Sequence, residues 1–277
     1  MNPFSVIVEV FNTLFLSPII NIMVLFIHAF SAVGIKESLG LSIIALTAVI
    51  KLLVWPLMSS QLRSTRKMAD LKPHLDKLKE KHKGDQQKFS AAQMALFKEH
   101  GVNPVAGCLP AIIQMPVLIA LYQVIFAFFN SSSGLAHINN LTYSFVPDLA
   151  KMPSSQFLGI DLSYKPSDFG HYGFLLLLVP VVTAALQFVQ SKMMAPSPVK
   201  NFPSDSPKEK KEKETKGDAT SAMQSQMLYL MPLMIGFFSY GFPVGLALYW
   251  NTFTIFGIIQ QYKITGLGGL SAWIKKK

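Results

Sequence analysis

One formal charge stands well inside an apolar stretch of this sequence. Lys51 follows thirteen uncharged residues, Ser38 to Ile50, and precedes eleven more, Leu52 to Leu62. An ammonium at the centre of a bilayer costs roughly 2.5 to 3.5 kcal/mol on insertion scales, so a lysine there asks for a reason: an anion site, or attraction of a passing carboxylate. The usual remedy is an acidic partner, yet no other apolar stretch carries Asp or Glu. They offer uncharged polar groups instead: Gln114, Gln187, Gln190 and Asn251, with Thr47 one turn before Lys51 on the same helical face. Each of these alone reads most simply as an interhelical hydrogen-bonding residue. Taken together, and with Trp250 near mid-span, they favour a hydrophilic groove in which water tolerates the charge. The alternative is a structural lysine that snorkels, although the membrane edge lies about two helical turns away, beyond easy reach of a four-carbon stem.

Bond-making chemistry finds no support. The sequence has no HExxH, no GxSxG, no Gly-rich phosphate loop and no Asp pair in its apolar stretches. Cys108 is the sole cysteine, so neither an internal disulfide nor a CxxC metal site is possible. The expectation is a protein with no catalytic residues, no metal and no cofactor. Met23, Met58, Met68, Met193, Met194, Met223 and Met227 cluster towards helix ends, where polarizable side chains suit varied apolar partners.

The elements that must position Lys51 follow from charge spacing. Of 277 residues 51% are hydrophobic and 14% charged, against about 25% charged in soluble domains. Residues 10–35, 38–50, 52–62, 100–147, 169–191 and 219–262 contain no Asp, Glu, Lys or Arg. A spanning helix needs about 20 apolar residues, which predicts an all-α polytopic membrane protein. Five spans are expected at 39–62, 105–130, 171–195, 223–240 and 244–263, the last two joined at Gly241, Pro243 and Gly245. In the first 38 residues Asn12, Ser17, Pro18, Asn21 and His28 interrupt the apolar run, and an amphipathic helix in the outer interface is expected. That N-terminus also lacks the basic region of a signal peptide.

The net charge of +10 is unevenly placed. Residues 63–100 hold ten basic and five acidic residues, 196–222 hold six and five, and the end of the chain from Lys263 holds four and none. Basic loops beside spans lie in the cytoplasm, which makes 131–170 an external loop, the N-terminus external and the C-terminus cytoplasmic. Nucleic acid is the lesser reading of the basic balance, with ribosomal RNA its one plausible form and no sequence-specific binding expected. Within 63–104, Leu71, Leu75 and Leu78 recur at helical spacing, as do Phe89, Ala92 and Leu96, around a turn at Lys83, Gly84 and Asp85. A cytoplasmic helical hairpin results, with Pro73 early in its first helix. Residues 196–222 have the composition of a disordered linker, and 264–277 form a basic tail.

Three blocks carry a resemblance. SIIALTAVIKLLVWPL from Ser42 to Leu57, NPVAGCLPAIIQMPVLIALY from Asn103 to Tyr122, and FPVGLALYWNTFTIFGIIQQ from Phe242 to Gln261 closely resemble the YidC/Oxa1/Alb3 membrane protein insertases. The likeness covers about Pro18 to Ile264 and points to the compact bacterial form. It implies a monomeric five-helix core in the bacterial cell membrane, with a hydrophilic groove open to cytoplasm and lipid and closed outside. It also implies nascent membrane proteins as substrates, working alone or beside the Sec translocon and the ribosome. An arginine of the family draws in polar, often acidic, substrate segments; Lys51 stands at that position, keeping the charge but losing the guanidinium fork. Thr47, Gln187 and Trp250 fall where the family's groove-lining residues do, with Gln187 and Gln190 both candidates for one of those places. The rival expectation, a small-solute anion transporter or channel, fits five spans poorly because transporters commonly have equal repeats.

Overall fold

The computed structural model of the chain describes residues 2–103, 109–130, 133–195 and 219–274. Cys108, most of the expected linker and the three terminal lysines lie outside the described residues. Helix α1 (Pro3–Phe11), a π-helical turn (Asn12–Leu16) and α2 (Ser17–Ala32) run on as one rod. Helix α3 (Ser38–Asp70) carries Lys51; α4 (Lys72–Lys81) and α5 (Gln86–Glu99) follow, then α6 (Leu109–Phe129) and the short α7 (Gly134–Asn139). Beyond the segment 140–168 come the one-turn helix α8 (Phe169–Tyr172), α9 (Leu178–Met194), α10 (Ala219–Gly241), α11 (Val244–Thr265) and the terminal turn α12 (Ser271–Ile274).

Among the described residues three helices are long and apolar enough to cross a membrane: Ser5–Ala32, Ser38–Asp70 and Phe174–Met194. The apolar parts of α6 and α10, Gln114–Phe129 and Leu228–Gly241, are shorter. Proline sits inside α3, α6 and α10, at Pro56, Pro116 and Pro232; such breaks persist in packed helices because neighbouring groups satisfy the freed backbone.

The first helix runs without a break through the interrupted apolar run. The polar residues that divide its apolar run are absorbed by the fold: Asn21 donates from Nδ2 to the Leu141 carbonyl at 2.9 Å and accepts at Oδ1 from the Tyr143 amide at 2.7 Å. His28 Nε2 lies 2.9 Å from the Pro147 carbonyl oxygen. Ile20, Met23 and Val24 of α2 meet Ile43 and Leu46 of α3, Leu121 and Val124 of α6 and Ile138 of α7 in one buried core. That core occupies the first third of α3; farther along, Leu52 and Leu53 are exposed.

A two-stranded sheet interrupts the helices: β1 (Gln156–Phe157) pairs antiparallel with β2 (Ile160–Asp161), Gln156 opposite Asp161. Leu158 and Gly159 turn between them at φ 51° and 80°, the double positive φ of a type I′ hairpin. Phe157 closes onto α3 at Gly40, where any Cβ would strike its ring. The same segment caps α11, because the Val244 and Gly245 amides donate to the Tyr164 and Leu162 carbonyls at 2.9 and 2.8 Å, answering donors that a helix start leaves free. Desolvation pushes the Asp161 carboxyl up, but hydrogen bonds from Ser163, Ser155 and Gln156 outweigh it and its pKa is lowered.

Helices α4 and α5 pair around Leu71, Phe97 and Val102, with Met68 and Leu75 against them. Asp85 caps α5 by accepting the Lys88 amide at 2.9 Å, and Pro73 lies in the first turn of α4. Helices α9 and α10 pack together, with Gly236 facing Ala184 and the Pro180 carbonyl. Helix α11 lies between α3 and α9.

Candidate functional site

Successive turns of α11 present one residue after another to its neighbours, and each finds a polar group. Near its start, the buried Tyr249 hydroxyl accepts a hydrogen bond from Gln114 Nε2 of α6 at 2.6 Å. Next, Trp250 Nε1 donates to Gln187 Oε1 of α9 at 3.4 Å. One turn on, the Phe253 ring receives Lys51 Nζ of α3, 3.3 Å from its centroid. Gly257 follows: a Cβ there would come within 3.4 Å of Lys51 Nζ and would strike Gln190 Nε2. The last turn brings Gln260, whose Nε2 donates to the Trp55 carbonyl and to Ser59 Oγ at 3.0 and 3.1 Å.

Lys51 is 1% exposed. Among the described residues no carboxylate pairs with it; its ammonium lies over the Phe253 face, and both it and the Gln190 amide border the place that a Cβ on Gly257 would take. The structure therefore brings Lys51 and Gln190 to Gly257, Gln187 to Trp250, and Gln114 to Tyr249 of α11. Thr47 stands apart: it is fully buried and its hydroxyl donates to the Ile43 carbonyl of its own helix at 2.6 Å. Asn251 Oδ1 is buried with no hydrogen-bond partner among the described residues. Phe253, Gly257, Gln260 and Ser59 were not among the residues expected from sequence. Gln260 and Gln261 did carry a signal, as adjacent amides at the end of an uncharged run. Phe253 did not, because one phenylalanine among 21 is indistinguishable by type.

Beside Trp250 an apolar crevice of about 440 Å³ opens between α6, α9, α10 and α11, lined by Leu118, Tyr122, Ile235, Phe238 and Phe242. Among the described residues no group of three or more His, Cys, Asp or Glu could hold a metal ion.

An apolar helical bundle with amides and one ammonium buried between its helices defines a multi-pass membrane protein. A sequence model of the family described as 60Kd inner membrane protein matches residues 28–267. The membrane protein insertase MisCA of Bacillus subtilis is 34% identical over 83% of this chain and 71% of its own. The membrane protein insertase YidC 1 of Halalkalibacterium halodurans is 33% identical over 93% of this chain and 79% of its own. The YidC insertase of Cupriavidus pinatubonensis is 34% identical over 85% of this chain, which spans only 34% of that longer relative. A crystal structure of an active YidC insertase, with its first transmembrane domain resolved, superposes with a TM-score of 0.54 at 25% identity, covering 86% of this chain and 44% of the other. This chain belongs to that family of bacterial multi-pass membrane insertases.

Proposed function

We propose that this protein inserts newly made membrane proteins by carrying a short hydrophilic segment through the seam around Lys51 while the substrate's apolar helix moves into lipid. The observation that carries this reading is the buried ammonium without a carboxylate partner among the described residues, facing the Phe253 ring. Desolvating a substrate carboxylate at the bilayer centre is the expensive step. A polar seam shortens the dry path, and a cation without a carboxylate partner offers attraction that is given up on release. Gln114, Gln187, Gln190, Trp250 and Asn251 supply the uncharged polar lining; Thr47, bonded within α3, contributes bulk beside Lys51. The insertase names of the relatives favour this reading over an anion transporter.

In the proposed arrangement α3, α6, α9, α10 and α11 are five spans, and α4 with α5 is a cytoplasmic hairpin. The N-terminus lies outside and the C-terminus inside, as the basic clusters favour. Helix Ser5–Ala32 lies in the outer interface. Support comes from Asn21 and His28, two turns apart, which both bond to the 141–147 segment. The protein works as a monomer, receives nascent chains from the ribosome, and acts alone or beside the Sec translocon. The test is a photo-crosslinker at Gln187 presented with ribosome-bound nascent chains of a single-span protein. Adducts are expected with the hydrophilic segment. Adducts no more frequent than from a lipid-facing position such as Leu233 would refute the path.

A further inference from the structure

We infer that the Phe253 ring is the resting counter-charge of Lys51, a positioning residue that holds the ammonium at seam depth with its hydrogen-bonding capacity open to a substrate carboxylate. This rests on the insertase reading of the seam and names the residue on which its charge depends. A buried ammonium can be stabilised by a carboxylate, by hydrogen-bond acceptors or by an aromatic face. Among the described residues Lys51 has no carboxylate partner and no hydrogen bond, and the Phe253 face lies 3.3 Å from Nζ. With the side chain 1% exposed, water screens that attraction little.

Chemistry separates the three options. A carboxylate would neutralise the charge and would have to be stripped away for every substrate, at the cost of leaving a buried ion unpaired. A carbonyl acceptor would occupy one of the three N–H donors. The ring holds the cation through its quadrupole and accepts through no lone pair, so ring and substrate carboxylate can bind the ammonium together. Local geometry supports this use. Phe253 is braced by Tyr249 one turn earlier, ring centroids 5.9 Å apart. Gly257 one turn later leaves the space that a Cβ would take from Lys51 Nζ and Gln190 Nε2. The ammonium thus has the ring on one side and the side-chain-free position of Gly257 on another.

The experiment replaces Phe253 in the full-length chain with phenylalanines carrying one, two, three and five ring fluorines, introduced by stop-codon suppression. Fluorination drains the negative face while nearly preserving shape, which a purely packing role would not register. Vesicles with equal amounts of each variant are given single-span substrates with acidic or neutral outer tails, and insertion rates are read by protease protection. The ratio of acidic-tail to neutral-tail rates is expected to fall stepwise, by roughly three- to tenfold at full fluorination. Phe253→Trp is expected to preserve the ratio, and Phe253→Leu to lower it. In a Lys51→Ala background fluorination is expected to have no effect. If fluorination leaves the ratio unchanged while Lys51→Ala lowers it, this inference falls and the insertase reading stands. If Lys51→Ala itself leaves the ratio unchanged, the charge has no role and both the inference and the seam mechanism fall.

Discussion

Gln260 of α11 holds the Trp55 carbonyl of α3 at 3.0 Å, one residue ahead of Pro56. A proline removes a backbone donor and crowds the preceding turn, so α3 is weakest where it passes the seam. Ser59 Oγ donates to the same Trp55 carbonyl at 2.7 Å and accepts from Gln260 at 3.1 Å. The three groups form a clasp across the proline that fixes α3, and with it Lys51, against α11. Gln260→Leu is expected to destabilise the protein by about 1 kcal/mol, the scale of interhelical hydrogen bonds in membranes. Ser59→Ala should cost less, and the double variant should fall short of the sum because both share one acceptor. Unfolding in mixed micelles measures all three.

Lys51 acts through charge in the proposed mechanism. Lys51→Ala should impair insertion of substrates with acidic outer tails, Lys51→Arg should retain it, and Lys51→Glu should be worst because it repels the same tails. Neutralising the tail should remove the difference. Equal protease protection of acidic tails by Lys51→Ala and by the unaltered protein would sink the electrostatic role.

Deleting residues 65–98 tests the hairpin. The small core of Leu71, Phe97 and Val102 is separate from the main one, so the rest of the chain should remain membrane-integrated. Insertion should be abolished. Normal yields from the deleted protein would reduce the hairpin to packing.

Asp161 predicts an acid limit for the outer segment. Its folded carboxyl is held below the ordinary value of 3.8 because hydrogen bonds outweigh desolvation. The unfolded chain therefore takes up a proton first as pH falls. The contribution is complete above about pH 4, the ordinary carboxylate range, and is lost as pH drops through the folded value. It is modest, since the group is largely solvated. The thermal midpoint of the protein should fall on acidification below pH 4, and Asp161→Asn should flatten that dependence. An unchanged acid slope in the variant would show that other carboxylates set it.

Much of the seam was legible because a lone charge in an apolar run announces itself. Lys51, Gln114, Gln187 and Gln190 stood out by polarity, Trp250 by its place near mid-span and by the family resemblance, and in the structure the first four lie against α11, which carries Trp250. Polarity did not give the pairings. Gln187 and Gln190 are one turn apart and differ only in which α11 residue they meet, a matter of helix rotation that periodicity leaves open. Thr47 shares a helical face with Lys51, yet its hydroxyl turns back to Ile43, a bond always available to threonine in a helix. The first helix showed the opposite limit. Asn21 and His28 looked like interruptions of an apolar run because the loop that satisfies them, 141–147, is over a hundred residues away. Phe253 and Gly257 could not be singled out, one being a common type and the other useful only for the space it leaves.

The way α9 and α10 pack has a mechanical consequence. They are joined by close contact of Gly236 with Ala184 and by the buried Thr183 and Ser239 hydroxyls 3.4 Å apart, whereas α9 meets α11 at the Gln187–Trp250 bond of 3.4 Å and at the Gln190 amide beside Gly257. Water can substitute for polar contacts of that kind at little cost, and cannot for interlocked alkyl groups. Under a sideways load the bundle should part between α9 and α11, with α9 and α10 moving as one leaf. An aperture formed there would lead from Lys51 directly to the acyl chains.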